Sequence, residues 1–89
     1  IPTSNFFVEI GFGYYEFNSL NLIKNNWSGL LIDQNLEECI LLRKLLDFYY
    51  PKSNIKIVNN SINKENINKA RKDACAFENS LILKKNENQ

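Results

Sequence analysis

Histidine and methionine are absent from this 89-residue chain, and glycine (three), proline (two) and cysteine (two) are scarce. Without histidine, the segment contains no Ser-His-Asp or Cys-His catalytic set of its own. Cys39 and Cys75 stand alone, with no histidine and no CxxC pair, so they make no zinc site. Two cysteines also fall short of the disulfide framework of a small secreted domain. The net charge is only +1, with both signs scattered through the chain. There is neither the basic stripe of a nucleic-acid-binding surface nor an acidic tail. No apolar run approaches the ~18 residues of a membrane span. The opening IPTSNFF lacks the charged region of a signal peptide. These absences lead us to expect a cytoplasmic protein with no nucleic-acid or membrane partner. A chain that starts at Ile1 and contains no Met is expected to be a segment of a longer protein.

What remains is the composition of one folded domain. Apolar residues make up 44% and aromatics 12%, too much to be kept in a disordered chain. Residues 5–10, NFFVEI, are aromatic and β-branched and run into GFG, which predicts a buried strand. Residues 15–27, YEFNSLNLIKNNW, carry Phe17, Leu20 and Ile23 at helical spacing, with Ser28 and Gly29 as the stop. Residues 29–33, GLLID, predict a second strand. In QNLEECILLRKLLDFYYP, Asn35 is placed to cap a helix with Glu38 as its reciprocal partner. Leu36, Ile40, Leu42, Leu45, Leu46 and Tyr49 form its apolar face, and Pro51 ends it. Residues 54–60, NIKIVNN, predict a third strand. Residues 63–74 predict a polar helix with Ile67 and Ala70 turned inward, and residues 79–85, NSLILKK, a fourth strand.

The expected order is β-α-β-α-β-α-β. Alternation with short loops means a parallel sheet with crossover helices. This is the Rossmann-like arrangement, a partial doubly wound sheet whose first three strands run 3-2-1. The fourth strand would lie on the other side of strand one. The free edge of strand one points to a missing half or to a partner, a second copy included.

In such sheets ligands bind at the carboxyl ends of the strands. Two acids stand there, Glu9 on strand one and Asp33 on strand two. Gly11 and Gly13 follow Glu9 and let the backbone turn sharply. Asp33 comes 22 residues after Gly11, close to the ~20-residue offset at which an acid meets a ribose. The third position of a G-x-G-x-x-G fingerprint is Glu16, which would repel a pyrophosphate. No GK[ST] follows, so this is not a phosphate-binding loop either. S-adenosylmethionine carries a cationic amino acid end and an adenosine and no phosphate, and acids suit it. Glu9 would sit near its amino group, directly or through water, and Asp33 would accept its ribose hydroxyls. Tyr14, Tyr15 and Phe17 are read as core or rim.

VEIGFG resembles motif I of the class I S-adenosylmethionine-dependent methyltransferases, acid-x-G-x-G-x-G, and GLLIDQN resembles their motif II. Taken with WSGLLIDQNLEE and VNNSINKENIN, the chain looks most like the FkbM-like family over roughly residues 6–70. The resemblance implies cofactor contacts by Glu9, Gly11, Gly13 and Asp33, with Asn60 in the region that meets adenine. It implies methyl transfer to an oxygen or nitrogen of a small-molecule or sugar acceptor. Tyr15 replaces the third motif-I glycine, which implies a narrower or shifted cofactor loop. The family's acidic motif after strand four has no counterpart here, so this segment would be the cofactor-binding half. The alternative reading is a non-catalytic Rossmann-like fragment acting as an interaction or oligomerisation module.

Overall fold

A computed structural model describes residues 5–12 and 18–87 of the chain. Three strands, β1 (Phe6–Ile10), β2 (Ser28–Asp33) and β3 (Ile55–Asn59), alternate with three helices, α1 (Leu20–Lys24), α2 (Leu36–Tyr49) and α3 (Ile67–Glu87). The strands form one parallel sheet in the order β1-β2-β3. Phe7 lies opposite Gly29, and Gly29 opposite Ile55. The chain is therefore a mixed α/β unit, and the expected 3-2-1 arrangement holds.

Because strand side chains alternate between faces, each strand feeds two cores. Phe7, Leu31 and Ile55 face α1 and α2, where they meet Ile23, Cys39, Leu42 and Leu46, and Phe12 joins them from the loop after β1. Leu30 and Ile32 face α3, where they meet Ala74, with Ala70, Phe6 and Val58 at the margin. The central strand is covered on both sides, which is why β2 reads as a nearly continuous apolar run. Leu31, Leu42 and Leu46 are fully buried at 0% exposure, each stabilising by about 1.5–3 kcal/mol.

Four expectations change. The helix expected over 15–27 is α1, five residues long, Leu20–Lys24. Residues 15–17 lie outside the described residues. The helix ends at Asn25 and Asn26 rather than at Ser28 and Gly29, because Asn26 adopts a positive φ of 66° and turns the chain back into the sheet. Ser28 and Gly29 then belong to β2. The polar helix expected over 63–74 begins at Ile67, after a turn in which Asn63 Oδ1 accepts the N–H groups of Glu65 and Asn66.

That helix does not stop at residue 74. Residues 79–85, expected to be a fourth strand, are its last turns. No Gly or Pro interrupts residues 67–87, and Leu81, Leu83, Lys84 and Lys85 are good helix formers. The apolar content of NSLILKK mimicked a strand. No strand lies beyond β1 among the described residues.

The expected apolar face of α2 is also rotated. Cys39, Leu42 and Leu46 form its buried stripe, with Leu45 at the margin. Leu36, Ile40, Phe48 and Tyr49 are exposed. No helix among the described residues is long and apolar enough to cross a membrane.

Gly29 is required by packing rather than by its backbone angles. A Cβ there would overlap the ring of Phe7, and that ring is held inside the α1/α2 core. Gly29→Ala is expected to lose about 1–3 kcal/mol of stability through overpacking. Urea denaturation measures this as a lower midpoint at unchanged slope.

Candidate functional site

The carboxyl ends of β1, β2 and β3 converge on a crevice of about 220 Å³, lined by Ile10, Gly11, Ile32, Asp33, Gln34, Asn60, Ser61 and Ile62. Of the site residues expected from sequence, the fold thus brings together Gly11, Asp33 and Asn60. Gly13 lies outside the described residues, as do Tyr14, Tyr15, Glu16 and Phe17.

Asp33 is held at this point from both sides. Its Oδ2 accepts the Phe12 N–H (2.8 Å) and its Oδ1 the Asn35 N–H (2.8 Å). One carboxylate thereby joins the loop after β1 to the start of α2. The Asp33 carbonyl is equally occupied, by Asn60 N–H (3.0 Å) and Asn59 Nδ2 (3.0 Å). An ionised carboxylate offers about four acceptor positions, and donors among the described residues take about half of them. Asn35 caps α2 as expected, its Oδ1 accepting Glu38 N–H at 3.2 Å.

Gly11 closes the floor of the crevice. Its N–H donates to the Ile32 carbonyl (2.7 Å) and its φ is +81°, a conformation that costs a side-chain-bearing residue but not glycine. A Cβ there would meet nothing within 4 Å. The glycine is required by its backbone angle, and nothing among the described residues fills the space above it. Asn60 Oδ1 accepts the Ser61 N–H (2.8 Å), which leaves its side-chain NH₂ directed elsewhere. No Lys or Arg lines the crevice.

Glu9 sits apart. Its Oε1 accepts Ser19 N–H (2.9 Å) and Ser19 Oγ, and its Oε2 accepts Asn18 N–H (3.2 Å). Ser19 is 5% exposed and is the N-cap residue of α1, with no cap bond of its own. The Glu9 carboxylate thus ties the backbone N–H groups that lead into α1 to the neighbouring strand. It does not line the crevice.

Sequence reasoning missed Phe12, Asn59, Gln34 and Ser61. Phe12 carried a usable signal, an aromatic residue inside a glycine loop next to a strand, and it is 8% exposed. Asn59, Gln34 and Ser61 carried none, because polar residues at strand ends are ordinary loop composition.

Cys39 lies behind Asp33. Its thiol faces the Asp33 carbonyl (3.6 Å) and the Val58 carbonyl (3.9 Å). Burial pushes the thiol above its ordinary value, and the Asp33 charge acts in the same direction. Cys39 is thus a neutral core residue, whereas Cys75 is exposed. Among the described residues, no three His, Cys, Asp or Glu side chains converge as a metal site.

No protein-family model, no curated protein and no solved structure matches the chain.

Glu9→Ala strands the Asn18 and Ser19 N–H groups and should cost about 1–3 kcal/mol, measured by chemical denaturation. It should leave ligand affinity at the crevice largely intact. For Cys39, the raised folded value means that the native state keeps its proton while the unfolded thiol loses its own. Stability is then full below the ordinary value of a free thiol and falls as pH rises from there through the raised folded value. Cys39→Ala should flatten that part of the pH–stability curve. A thiol reagent should modify Cys75 alone in the native protein and both cysteines in denaturant.

Proposed function

We propose that the crevice at the carboxyl end of the sheet binds the adenosine portion of S-adenosylmethionine, and that the chain is the cofactor-binding part of a Rossmann-like, FkbM-like methyltransferase. One observation carries this reading. Asp33, a carboxylate whose partners among the described residues leave acceptor positions over, stands beside a glycine at positive φ, in a crevice that no basic side chain among the described residues lines. A phosphate ligand needs cationic or N–H donors, and here the charged group has the wrong sign. A ribose offers two hydroxyl donors, and Asp33 has acceptors for them. Asn60 adds a side-chain NH₂ suited to an adenine ring nitrogen.

The crevice is smaller than the ~300–1,000 Å³ of typical small-molecule pockets. That size suits a nucleoside portion rather than the whole cofactor. When bound, S-adenosylmethionine supplies an electrophilic methyl group for an oxygen or nitrogen of a small-molecule or sugar acceptor. The residues of this chain contribute positioning. Asp33 and Gly11 fix the nucleoside, and Glu9 acts one step back by holding the start of α1 against β1. Positioning of this kind is a large part of what a group-transfer enzyme provides.

A second reading, a non-catalytic module that associates through its sheet, is favoured by the free edge of β1, where Val8 and Ile10 are 48% and 53% exposed.

Calorimetry separates the ligands. S-adenosylhomocysteine and adenosine should bind, and ATP should bind far more weakly. A 2′-deoxyadenosine analogue should lose about tenfold or more, the equivalent of one hydrogen bond to a charged group. It removes that bond without touching the fold. Asp33→Ala should show the same loss if circular dichroism confirms that it folds. Equal affinity for adenosine and its deoxy analogue would sink the ribose assignment.

A further inference from the structure

One wall of the crevice is a loop. Asn60, Ser61 and Ile62 line it, between the end of β3 and the start of α3. The stretch NNSINKEN, residues 59–66, holds four asparagines and no glycine or proline. Backbone groups in such a connection have neither a ladder nor a helix to bond to. Asparagine side chains are suited to supply the missing partners.

Here the bonds form one continuous chain. Asn60 N–H donates to the Asp33 carbonyl (3.0 Å), and Asn60 Oδ1 accepts Ser61 N–H (2.8 Å). The Ser61 carbonyl accepts Asn66 Nδ2, and Asn66 Oδ1 accepts Asn63 N–H (2.8 Å). Asn63 Oδ1 in turn accepts the N–H groups of Glu65 (2.8 Å) and Asn66 (3.1 Å). The Asn63 carbonyl accepts the N–H of Ile67, the first residue of α3 (3.0 Å). The wall is therefore tied at one end to β2 and at the other to α3.

Asn66 joins the two halves of this chain. Its one amide group bonds both Ser61 and Asn63, and the Ser61 bond reaches five positions back. Asn66 is half-buried, whereas Asn60 and Ser61 are exposed and Ile62 packs only partly against Leu30 and Ile32. The exposed part of the wall thus takes its position from bonds rather than from packing.

We infer that Asn66, which does not line the crevice, is a positioning residue for the base of the bound nucleoside. It holds the Ser61 carbonyl, Ser61 N–H holds the Asn60 amide by its oxygen, and the Asn60 NH₂ is left for an acceptor on the ligand. A wall ordered in advance does not have to be ordered on binding. This role rests on the nucleoside reading of the crevice given above.

One substitution separates this link from the rest of the turn. Asn66→Asp keeps an acceptor for Asn63 N–H and removes the donor to the Ser61 carbonyl. In NMR relaxation of the backbone amides of the free protein, residues 60–62 should gain fast motion in this variant, while residues 67–70 keep that of the wild type. In calorimetry, Asn66→Asp and Asn60→Ala should each lose about tenfold in adenosine affinity, the equivalent of one hydrogen bond. The double variant should also lose about tenfold rather than about a hundredfold, because one residue acts through the other. Losses that multiply overturn the proposal, as does a loop as ordered in Asn66→Asp as in the wild type. A wild-type chain that binds no adenosine overturns the nucleoside reading and the base-positioning role with it, whereas relaxation alone tells whether Asn66 holds the wall.

Discussion

Asp33, through its carboxylate and its backbone carbonyl together, is the point at which three segments of the chain are joined. The loop after β1 reaches it through the Phe12 N–H, the start of α2 through the Asn35 N–H, and the loop after β3 through the Asp33 carbonyl. The Phe12 and Asn35 N–H groups stand at the ends of regular elements, where no ladder or helix bond is available to them, and the Asn60 N–H continues the β2–β3 ladder. Without the carboxylate, the glycine loop would have no fixed relation to the strand beside it. The crevice exists because these three ends are held together.

Glu9 does the corresponding work one strand over. It is the second acid at a strand end, and sequence alone gave the two acids equal standing as ligand groups. The structure separates them. Asp33 lines the crevice and joins two backbone donors there, whereas Glu9, on the same face of the sheet, is held by Asn18 and Ser19 ahead of α1 and does not line the crevice. A carboxylate at a strand end reads the same in sequence whichever donors its side chain meets.

The parallel order of the strands, the Asn35 cap and the positions of β1, β2 and β3 to within one residue at each end were legible because they rest on local patterns. These are β-branched runs, an Asn before a periodic apolar stretch, and a Pro after it. The fate of residues 79–85 was not legible. Leu81, Ile82 and Leu83 suit a short buried strand or the exposed side of a helix equally well, and only the absence of a breaker upstream decides between them. The rotation of α2 was hidden for a related reason. Its sequence is apolar almost all round, with Leu36, Leu41 and Phe48 as hydrophobic as the buried Leu42 and Leu46. Periodicity cannot choose a face when both are apolar.

The mismatch in length between α3 and the sheet has a further consequence. The strands have five or six residues and α3 has 21, or roughly 17–20 Å against about 31 Å. Only the first half of the helix lies over the sheet. Ala74 is its one buried residue, and residues 82–87 are exposed throughout. A single unbroken helix therefore spans two regimes of local stability. The turns near Ala74 are held by the sheet, while the last turns have only their own backbone bonds and fray at little free-energy cost. The helix is continuous in geometry but not in cooperativity, and its folding unit ends well before its hydrogen bonds do.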